Sequence, residues 1–168
     1  MPDTSPIVIV NATPIISLAL IDQLPLLHAL YGEVLIPPAV QAEVLAGGPH
    51  GHGVTELQTA AWIRITPLSD PRRADLLSDL DRGEAEVIAL AQELEAGLVI
   101  IDERLARRHA QRLGLTLTGT LGVLLRAKAN RWAAHPHPAA KRYSACPCCG
   151  GQSPETGRRR MSHACFRM

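Results

Sequence analysis

Two runs of branched apolar residues, each ending at a polar side chain, dominate the hydrophobic pattern of this chain. Residues 98–101 are Leu-Val-Ile-Ile and stop at Asp102, and residues 7–10 are Ile-Val-Ile-Val and stop at Asn11. Neither run alternates with polar residues, which is typical of strands buried on both faces of a parallel sheet. Because open α/β sheets bind ligands beyond the carboxyl ends of their strands, Asn11 and Asp102 are predicted to mark a metal or substrate site.

Shorter strands and helical patterns alternate along the rest of the first 130 residues. Further strands are predicted at 34–36, 63–65 and 115–117. Helices are predicted at 14–21 with Thr13 as a cap, and at 24–31, 38–46, 54–62, 76–80, 83–97, 104–113 and 120–125. This alternation predicts an α/β fold, in which helices cover both faces of a central parallel sheet.

Acidic residues are the candidate chemistry of this sheet. The helix at 83–97 is the clearest amphipathic one, and Glu84 lies on its core-facing side; Glu43 lies on the helix that follows the second strand. The other glutamates of this region are predicted to be solvated: Glu86, Glu93 and Glu95. Carboxylates that meet in one crevice repel each other by about 4 kcal/mol per close pair, and a hard divalent cation is the usual compensation. From spacing alone, a metal site and a solvated set of acids are equally supported.

The chain lacks the motifs of several common enzyme classes. It has no Gly-x-Gly-x-x-Gly after the first strand and no P-loop, so dinucleotide and P-loop chemistry have no support. It also lacks the Gly-x-Ser-x-Gly elbow of hydrolases. Aromatic residues make up only 3% of the chain, which disfavours binding of single strands by stacking. Without a long apolar run or the basic start of a signal peptide, we expect a cytoplasmic protein with no membrane partner.

The net charge of +1 conceals two segments of opposite charge. Residues 1–125 contain eight Lys and Arg against fifteen Asp and Glu, whereas residues 126–168 contain nine against one. All four cysteines lie in the second segment. The sequence therefore predicts a globular domain over residues 1–130 and a basic, Cys- and Pro-rich tail over residues 131–168, which we expect to be disordered.

Four arginines recur with helical spacing directly after Asp102. They occupy positions i, i+3, i+4 and i+8 of the helix that begins there: Arg104, Arg107, Arg108 and Arg112. This spacing places four guanidinium groups on one helix face beside the predicted site, where they would contact nucleic-acid phosphates. A solvated helix face is an equally supported interpretation.

Five blocks of the sequence, in this order, resemble the PIN-domain family. They are Val-x-Val-Asn-Ala-Thr-Pro-Ile-Ile (8–16), Ile-Pro-Pro-Ala-Val-x-x-Glu-Val (36–44), Gly-Glu-Ala-Glu-x-Ile-Ala-Leu-Ala (83–91), Ile-Asp-Glu-Arg-x-Ala-Arg (101–107) and Thr-Gly-Thr-Leu-Gly-Val-Leu (118–124). The resemblance spans roughly residues 7–128. More narrowly, the chain is similar to the prokaryotic PIN-like group related to VapC-type toxin ribonucleases.

The resemblance implies a three-layer αβα fold and a ribonuclease site that depends on Mg²⁺ or Mn²⁺. Position by position, it implies four metal-binding residues, of which the three acids are also catalytic: Asn11, Glu43, Glu84 and Asp102. It implies three supporting residues: Thr13, Glu103 and Thr120. Most PIN domains have an aspartate where this chain has Asn11. An amide oxygen can bind a cation but brings no charge, and the PIN-like group often has Asn at this position.

The resemblance also implies a function and partners. The leading expectation is an endoribonuclease of the toxin–antitoxin type that acts on RNA, forms a homodimer and is blocked by a small antitoxin. The alternative is a catalytically weak PIN-like module that binds RNA or a protein without cleaving. Metal-dependent RNA cleavage, abolished in Asp102→Asn, separates these two functions.

The tail and one loop carry residues that could bind zinc. The tail contains Cys146-Pro-Cys148-Cys149 and His163-Ala-Cys165, but not the paired Cys-x-x-Cys spacing, so a zinc-binding adaptor is a third and weaker alternative. His50 and His52 lie in a glycine-flanked loop and are predicted to be solvated. Related PIN-like chains continue past this point with apolar helical sequence. Codons can be chosen for residues 132–140 so that reading them one base later encodes an apolar sequence of that kind. We therefore hypothesise that the tail is a frameshift product.

Overall fold

A computed structural model describes residues 6–48 and 51–134 of the chain. The strands are β1 (Val8–Val10), β2 (Val34–Ile36), β3 (Ile63–Ile65), β4 (Leu98–Ile100) and β5 (Leu117–Thr118). The helices are α1 (Ala12–Leu20), α2 (Pro25–Tyr31), α3 (Pro38–Leu45), α4 (Val54–Thr59), α5 (Arg72–Asp75), α6 (Arg82–Glu93), α7 (Arg104–Arg112) and α8 (Thr120–Ala134). The predicted α/β class with a central parallel sheet is confirmed.

The five strands form one parallel sheet in the order β3-β2-β1-β4-β5. Strand β1 is central, and all three of its residues are buried, with at most 1% of their surface exposed. This burial on both faces explains why its sequence is continuously apolar rather than alternating. The chain builds the sheet from β1 toward β3 and then returns to add β4 and β5 on the other side of β1.

This reversal of strand order creates a crevice at the carboxyl ends of β1 and β4. Val10 and Ile100 are paired in the sheet, and the backbone N–H of Asn11 donates to the carbonyl oxygen of Ile100 at 3.0 Å. The residues that follow the two central strands, Asn11 and Asp102, therefore leave the sheet at the same edge. In open α/β sheets this switch point is where ligands bind.

Helix α6 is buried more completely than its amphipathic pattern predicts. It contacts α3, α5 and α7 as well as β1 and β4, and every residue from Gly83 to Ala91 is buried. The prediction that Glu86 is solvated was therefore wrong, because only 8% of this residue is exposed. Its neighbour Glu84, which was predicted to face inward, is exposed to the same 8%.

Glu86 connects the first turn of α3 to α6. Its Oε2 accepts a hydrogen bond from the backbone N–H of Ala39 at 3.1 Å, and its Oε1 accepts one from Nε of Arg82 at 2.7 Å. Helix α3 begins after Pro37, which has no side-chain group to cap the helix. Glu86 therefore takes the place of a local cap and fixes α3, the helix that carries Glu43, against α6.

We expect Glu86→Ala to destabilise the protein by about 1–3 kcal/mol, because the Ala39 amide and the Arg82 guanidinium lose their acceptor. Chemical denaturation monitored by circular dichroism measures this change. Gln92→Ala is the matched control, since Gln92 is an exposed residue of the same helix. Equal stability of the Glu86 and Gln92 variants would show that the link between α3 and α6 contributes nothing.

Three local predictions differ from the structure. Helix α1 begins at Ala12 with Asn11 at the N-cap position, so Thr13 lies inside the helix and does not cap it. The short helix predicted at 76–80 lies earlier in the chain, at α5, where it begins after Pro71. Leu76, which was predicted to belong to that helix, is 84% exposed. The last strand starts at Leu117, since the N–H of Leu115 still bonds the α7 residue Ala110 at 3.0 Å.

The predicted boundary at residue 130 falls inside α8, which continues to Ala134. The predictions of disorder and of a frameshift concern residues 131–168. Of these, residues 135–168 lie outside the described part of the chain. The tail cysteines and His50 lie outside it too, whereas His52 is exposed, as predicted. Within the described ranges no single helix is long and apolar enough to cross a membrane; only the bent pair of α1 and α2 meets that test, by length and composition alone.

Candidate functional site

Asn11 forms the floor of the crevice. Only 2% of this residue is exposed, and its side-chain oxygen Oδ1 is buried without a hydrogen-bond partner in the described part of the chain. A buried polar atom left without a partner costs about 1–3 kcal/mol, so its presence calls for an explanation. A bound cation or its water would satisfy this oxygen.

Gly83 keeps the space between Asn11 and Glu43 open. A Cβ atom at residue 83 would lie 2.8 Å from Oε2 of Glu43 and 3.7 Å from Oδ1 of Asn11. The two oxygens, from α3 and from the end of β1, therefore approach the same point at the start of α6. A side chain at residue 83 would displace the Glu43 carboxylate, and glycine leaves room for both oxygen ligands.

Burial and neighbouring charges raise the pKa values of Glu43 on α3 and Glu84 on α6. Burial raises the pKa of Glu84 first, and the charges of Asp81, Glu103 and Glu43 raise it further. A hydrogen bond from the backbone N–H of Asp81 acts in the opposite direction. Partial burial also raises the pKa of Glu43, and the charge of Asp81 adds to this effect. The charges of Asp81, Glu103 and Glu43 therefore all act on the carboxylate of Glu84.

The Asp102 carboxylate bonds the first residue of α8. Its Oδ1 accepts a hydrogen bond from the backbone N–H of Thr120 at 2.9 Å, and its Oδ2 accepts one from the Thr120 hydroxyl. Gly119 lies directly against this carboxylate, since a Cβ there would be 2.5 Å from Oδ1. Asp102 therefore joins the end of β4 to α8 through Thr120, whose supporting role at a site stays a prediction.

The remaining predicted residues lie on α1 and α7, the helices that follow Asn11 and Asp102. Thr13 is exposed in the first turn of α1. Arg107 is half-buried and donates from Nη1 to the carbonyl oxygen of Ile101 at 2.8 Å, so it braces the turn that carries Asp102. The other three predicted arginines are exposed on α7: Arg104, Arg108 and Arg112.

Two acidic residues of the region were missed by the sequence interpretation. Glu86 was assigned to a solvated helix face because its helix was expected to pack on one side only. Asp81, the N-cap residue of α6, was not singled out at all. A signal for Asp81 exists in the sequence: Asp81 and Glu84 have the spacing of a capping box, in which the residue at the fourth position bonds back to the first.

The donor set suits a hard divalent cation. Among the described residues, no three His, Cys, Asp or Glu side chains lie close enough together to hold a metal ion by themselves. Amide oxygens also bind cations, and Mg²⁺ keeps several waters and is commonly bound through only one or two carboxylates. The unpartnered Oδ1 of Asn11 and the adjacent Oε2 of Glu43 are oxygen donors of that kind, so these residues fit such a cation.

We expect the metal-free protein to become more stable as the pH falls. The pKa values of Glu43 and Glu84 are raised, so the folded state binds protons more tightly than the unfolded state, and protonation on mild acidification favours folding. This stabilisation is complete below the usual glutamate pKa and is lost as the pH rises through the raised values.

Urea denaturation of the protein in a chelator, at several pH values between 4 and 7, measures this effect. The double variant Glu43→Gln/Glu84→Gln is the control, because it retains every other titrating group. The difference in unfolding free energy between wild type and the double variant should change with pH in the stated direction. A difference that is flat with pH would contradict the raised pKa values.

The comparison with known proteins agrees with this architecture. A family model described as a PIN domain matches residues 7–142, most of the chain. No individual curated protein matches the chain significantly. The match begins at the strand that ends on Asn11 and includes Glu43, Glu84, Asp102 and Thr120. With its five-stranded parallel sheet and flanking helices, this chain belongs to the PIN-domain family.

Proposed function

We propose that this protein is a divalent-metal-dependent endoribonuclease related to the VapC-type toxins. The observation that carries the proposal is the buried, unpartnered Oδ1 of Asn11, which lies across Gly83 from Oε2 of Glu43. Packing leaves Oδ1 of Asn11 without a hydrogen-bond partner among the described residues, whereas a cation bound between the two oxygens would satisfy it. The PIN-domain family, whose members generally use divalent metal ions, supports the same function.

In this proposal Asn11, Glu43, Glu84 and Asp102 would hold Mg²⁺ or Mn²⁺ partly through the cation's own waters, because no three acids of the described residues lie close enough to hold the ion by themselves. The bound cation would polarise a phosphoryl oxygen of RNA and lower the pKa of a water molecule. Glu43 and Glu84 orient the attacking water. Asp102 is held by Thr120, and Glu103 and Thr13 are the proposed supporting residues.

The substrate would be held by the exposed arginines of α7. Arg104, Arg108 and Arg112 follow directly after Asp102 and are free of carboxylate partners within the described residues. Phosphate contacts of this kind fix the register of a nucleic acid without reading its sequence. Arg107 contributes by bracing the turn rather than by contacting RNA. The proposed partners are RNA, a small antitoxin that covers the crevice, and a second copy of the chain.

The test is RNA cleavage by the purified protein with Mn²⁺ and with a chelator. We expect cleavage with Mn²⁺ only, and its loss in Asp102→Asn. The control variant is Asp22→Asn, in which the same change is made at an exposed turn far along the chain from the crevice. Cleavage that persists in the chelator, or that is equal in the two variants, would contradict the proposed site.

A second candidate function is a PIN-like module that binds RNA or a protein without cleaving it. The observation that favours it is the engagement of both Asp102 oxygens by Thr120, together with the neutral side chain of Asn11. In that case the wild-type protein would bind RNA in a salt-dependent manner, because phosphate contacts release counterions, but it would leave the RNA intact with Mn²⁺.

A further inference from the structure

A cleft of about 540 Å³ lies at the amino-terminal edge of the sheet, between the last turn of α2 and the middle of α8. Val8 and Leu98, the paired first residues of β1 and β4, line part of it. The crevice of the proposed metal site lies at the carboxyl ends of the same two strands, which is roughly 10 Å away along the strands. The cleft is therefore a second site, and its volume is within the range of small-molecule pockets.

The lining of this cleft combines an apolar wall with neutral and cationic polar groups. Leu30 belongs to the apolar wall, and the polar side chains that line the cleft are His28, Tyr31, Thr116 and Arg126. None of the described residues that line it is an aspartate or a glutamate. A cleft with a guanidinium and no carboxylate favours an anionic ligand, because the ligand then supplies the opposite charge.

Arg126 is held in place without being neutralised. Its guanidinium carbon lies 5.4 Å from the centre of the Tyr31 ring, within the range of a cation–π contact. Among the described residues, Arg126 forms no ion pair with a carboxylate. The contact with Tyr31 thus orients the guanidinium but leaves its charge uncompensated. A guanidinium of this kind can bind a phosphate through two parallel N–H···O hydrogen bonds.

Two further polar side chains of the cleft are fixed by their surroundings. Nδ1 of His28 donates to the carbonyl oxygen of Gly32 at 3.0 Å, and the His28 ring stacks on Trp62 with 5.4 Å between the ring centres. Burial raises the pKa of Tyr31, although the charge of Arg126 acts in the opposite direction, so the phenol is a neutral hydrogen-bond donor at neutral pH. Fixed hydrogen-bonding groups beside an apolar wall fit a ligand that has an apolar ring with polar edges.

We propose that this cleft binds a nucleoside monophosphate group, with the phosphate on Arg126 and the base against the apolar wall. The group is a free nucleotide or the terminal nucleotide of an RNA strand, since both present the same phosphate, sugar and base. A single cation suits a single phosphate, whereas an acidic peptide would find a partner for only one of its carboxylates. The inference goes beyond the proposed cleavage site, because it involves no metal ion and none of the residues of the crevice.

The test is titration calorimetry of the protein in a chelator with the four nucleoside monophosphates, each titrated separately, and with the corresponding nucleosides, which lack the phosphate. We expect at least one monophosphate to bind and its nucleoside to bind at least about 10-fold more weakly, because hydrogen bonds to a charged group are stronger than neutral ones. The proposal is overturned if none of the four binds at millimolar concentration, or if the nucleoside binds as tightly as its monophosphate.

Arg126→Gln removes the phosphate partner, and Lys128→Gln is its matched control. Lys128 is an exposed cation of the same helix that does not line the cleft. We expect Arg126→Gln to weaken binding of the monophosphate by about 10-fold or more, and Lys128→Gln to change it by less than about twofold, because an exposed charge away from the ligand is screened by salt. Circular dichroism verifies that both variants fold. Equal weakening in the two variants would attribute the binding to net charge and overturn the proposal.

Further ligands identify the source of the nucleotide. A short RNA with a terminal phosphate is compared with the same RNA without it, and a glutamate peptide is added as a competitor. Preference for the phosphorylated RNA supports a strand end as the ligand, and binding of the monophosphate alone supports a free nucleotide. Displacement of the monophosphate by an equal concentration of the peptide would assign the cleft to an acidic protein and overturn the proposal. Protein that binds the monophosphate but cleaves no RNA with Mn²⁺ would contradict the proposed function and leave this inference standing.

Discussion

Replacing Glu84 by glutamine is expected to abolish Mn²⁺-dependent RNA cleavage and at the same time to stabilise the metal-free protein. The glutamine keeps the shape of the side chain, but it removes a buried charge, and burial together with the charges of three other carboxylates raises the pKa of that group. Loss of a residue that merely supports a metal ligand costs about 10- to 100-fold. We therefore expect cleavage to fall by at least about 100-fold.

Initial rates of RNA cleavage and urea denaturation in a chelator measure the two effects. Glu95→Gln is the matched control, because Glu95 is exposed after the opposite end of α6. Opposite changes in activity and stability are characteristic of a residue kept for function at the expense of stability. If Glu84→Gln lowers stability and leaves cleavage intact, Glu84 serves only as part of the helix cap.

Asn11→Asp is expected to make folding depend strongly on the cation. The new carboxylate would be buried to the same 2% exposure as Asn11, close to Glu43, and its Oδ1 would have no hydrogen-bond donor among the described residues. An uncompensated buried charge destabilises a protein by about 3–5 kcal/mol, so we expect a large loss of stability in a chelator. Saturating Mn²⁺ should restore most of it, because binding to the folded state alone adds stability.

Thermal unfolding with Mn²⁺ and with a chelator measures this dependence. Asn11→Ala separates charge from ligation: it removes the amide oxygen without adding a charge, so we expect weaker Mn²⁺ binding and little loss of stability from repulsion. An Asn11→Asp variant that unfolds at the same temperature with and without Mn²⁺ would show that no cation binds beside this residue.

The hydrophobic pattern of the chain was enough to predict the α/β class and its parallel sheet. Strands buried on both faces must be continuously apolar, as Val8–Val10 is, so their type and order can be recognised locally. The same pattern placed Asn11 and Asp102 at strand ends. Glycine and proline located most helix ends, and Gly32 ends α2 with a positive φ of 72° as expected.

Local patterns failed where a helix contacts several elements at once. Glu86 is predicted to be solvated if α6 buries only one face, but α6 packs against three helices and the sheet. The spacing between Asp81 and Glu84 suggests a helix cap, and nothing in it indicates that the Asp81 side chain makes no capping hydrogen bond. These contacts join residues that are distant in sequence, such as Glu86 and Ala39.

By itself, the sequence determined which strands are buried, where they end and which oxygen-bearing side chains follow them, because these depend on residues near one another in the chain. Only the tertiary structure decided that Glu43 approaches Asn11 across Gly83, that Glu86 bonds the N–H of Ala39, and that Asp102 bonds Thr120. The physical reason is that side-chain direction depends on how whole helices pack across the sheet, and that packing is a property of all the elements together.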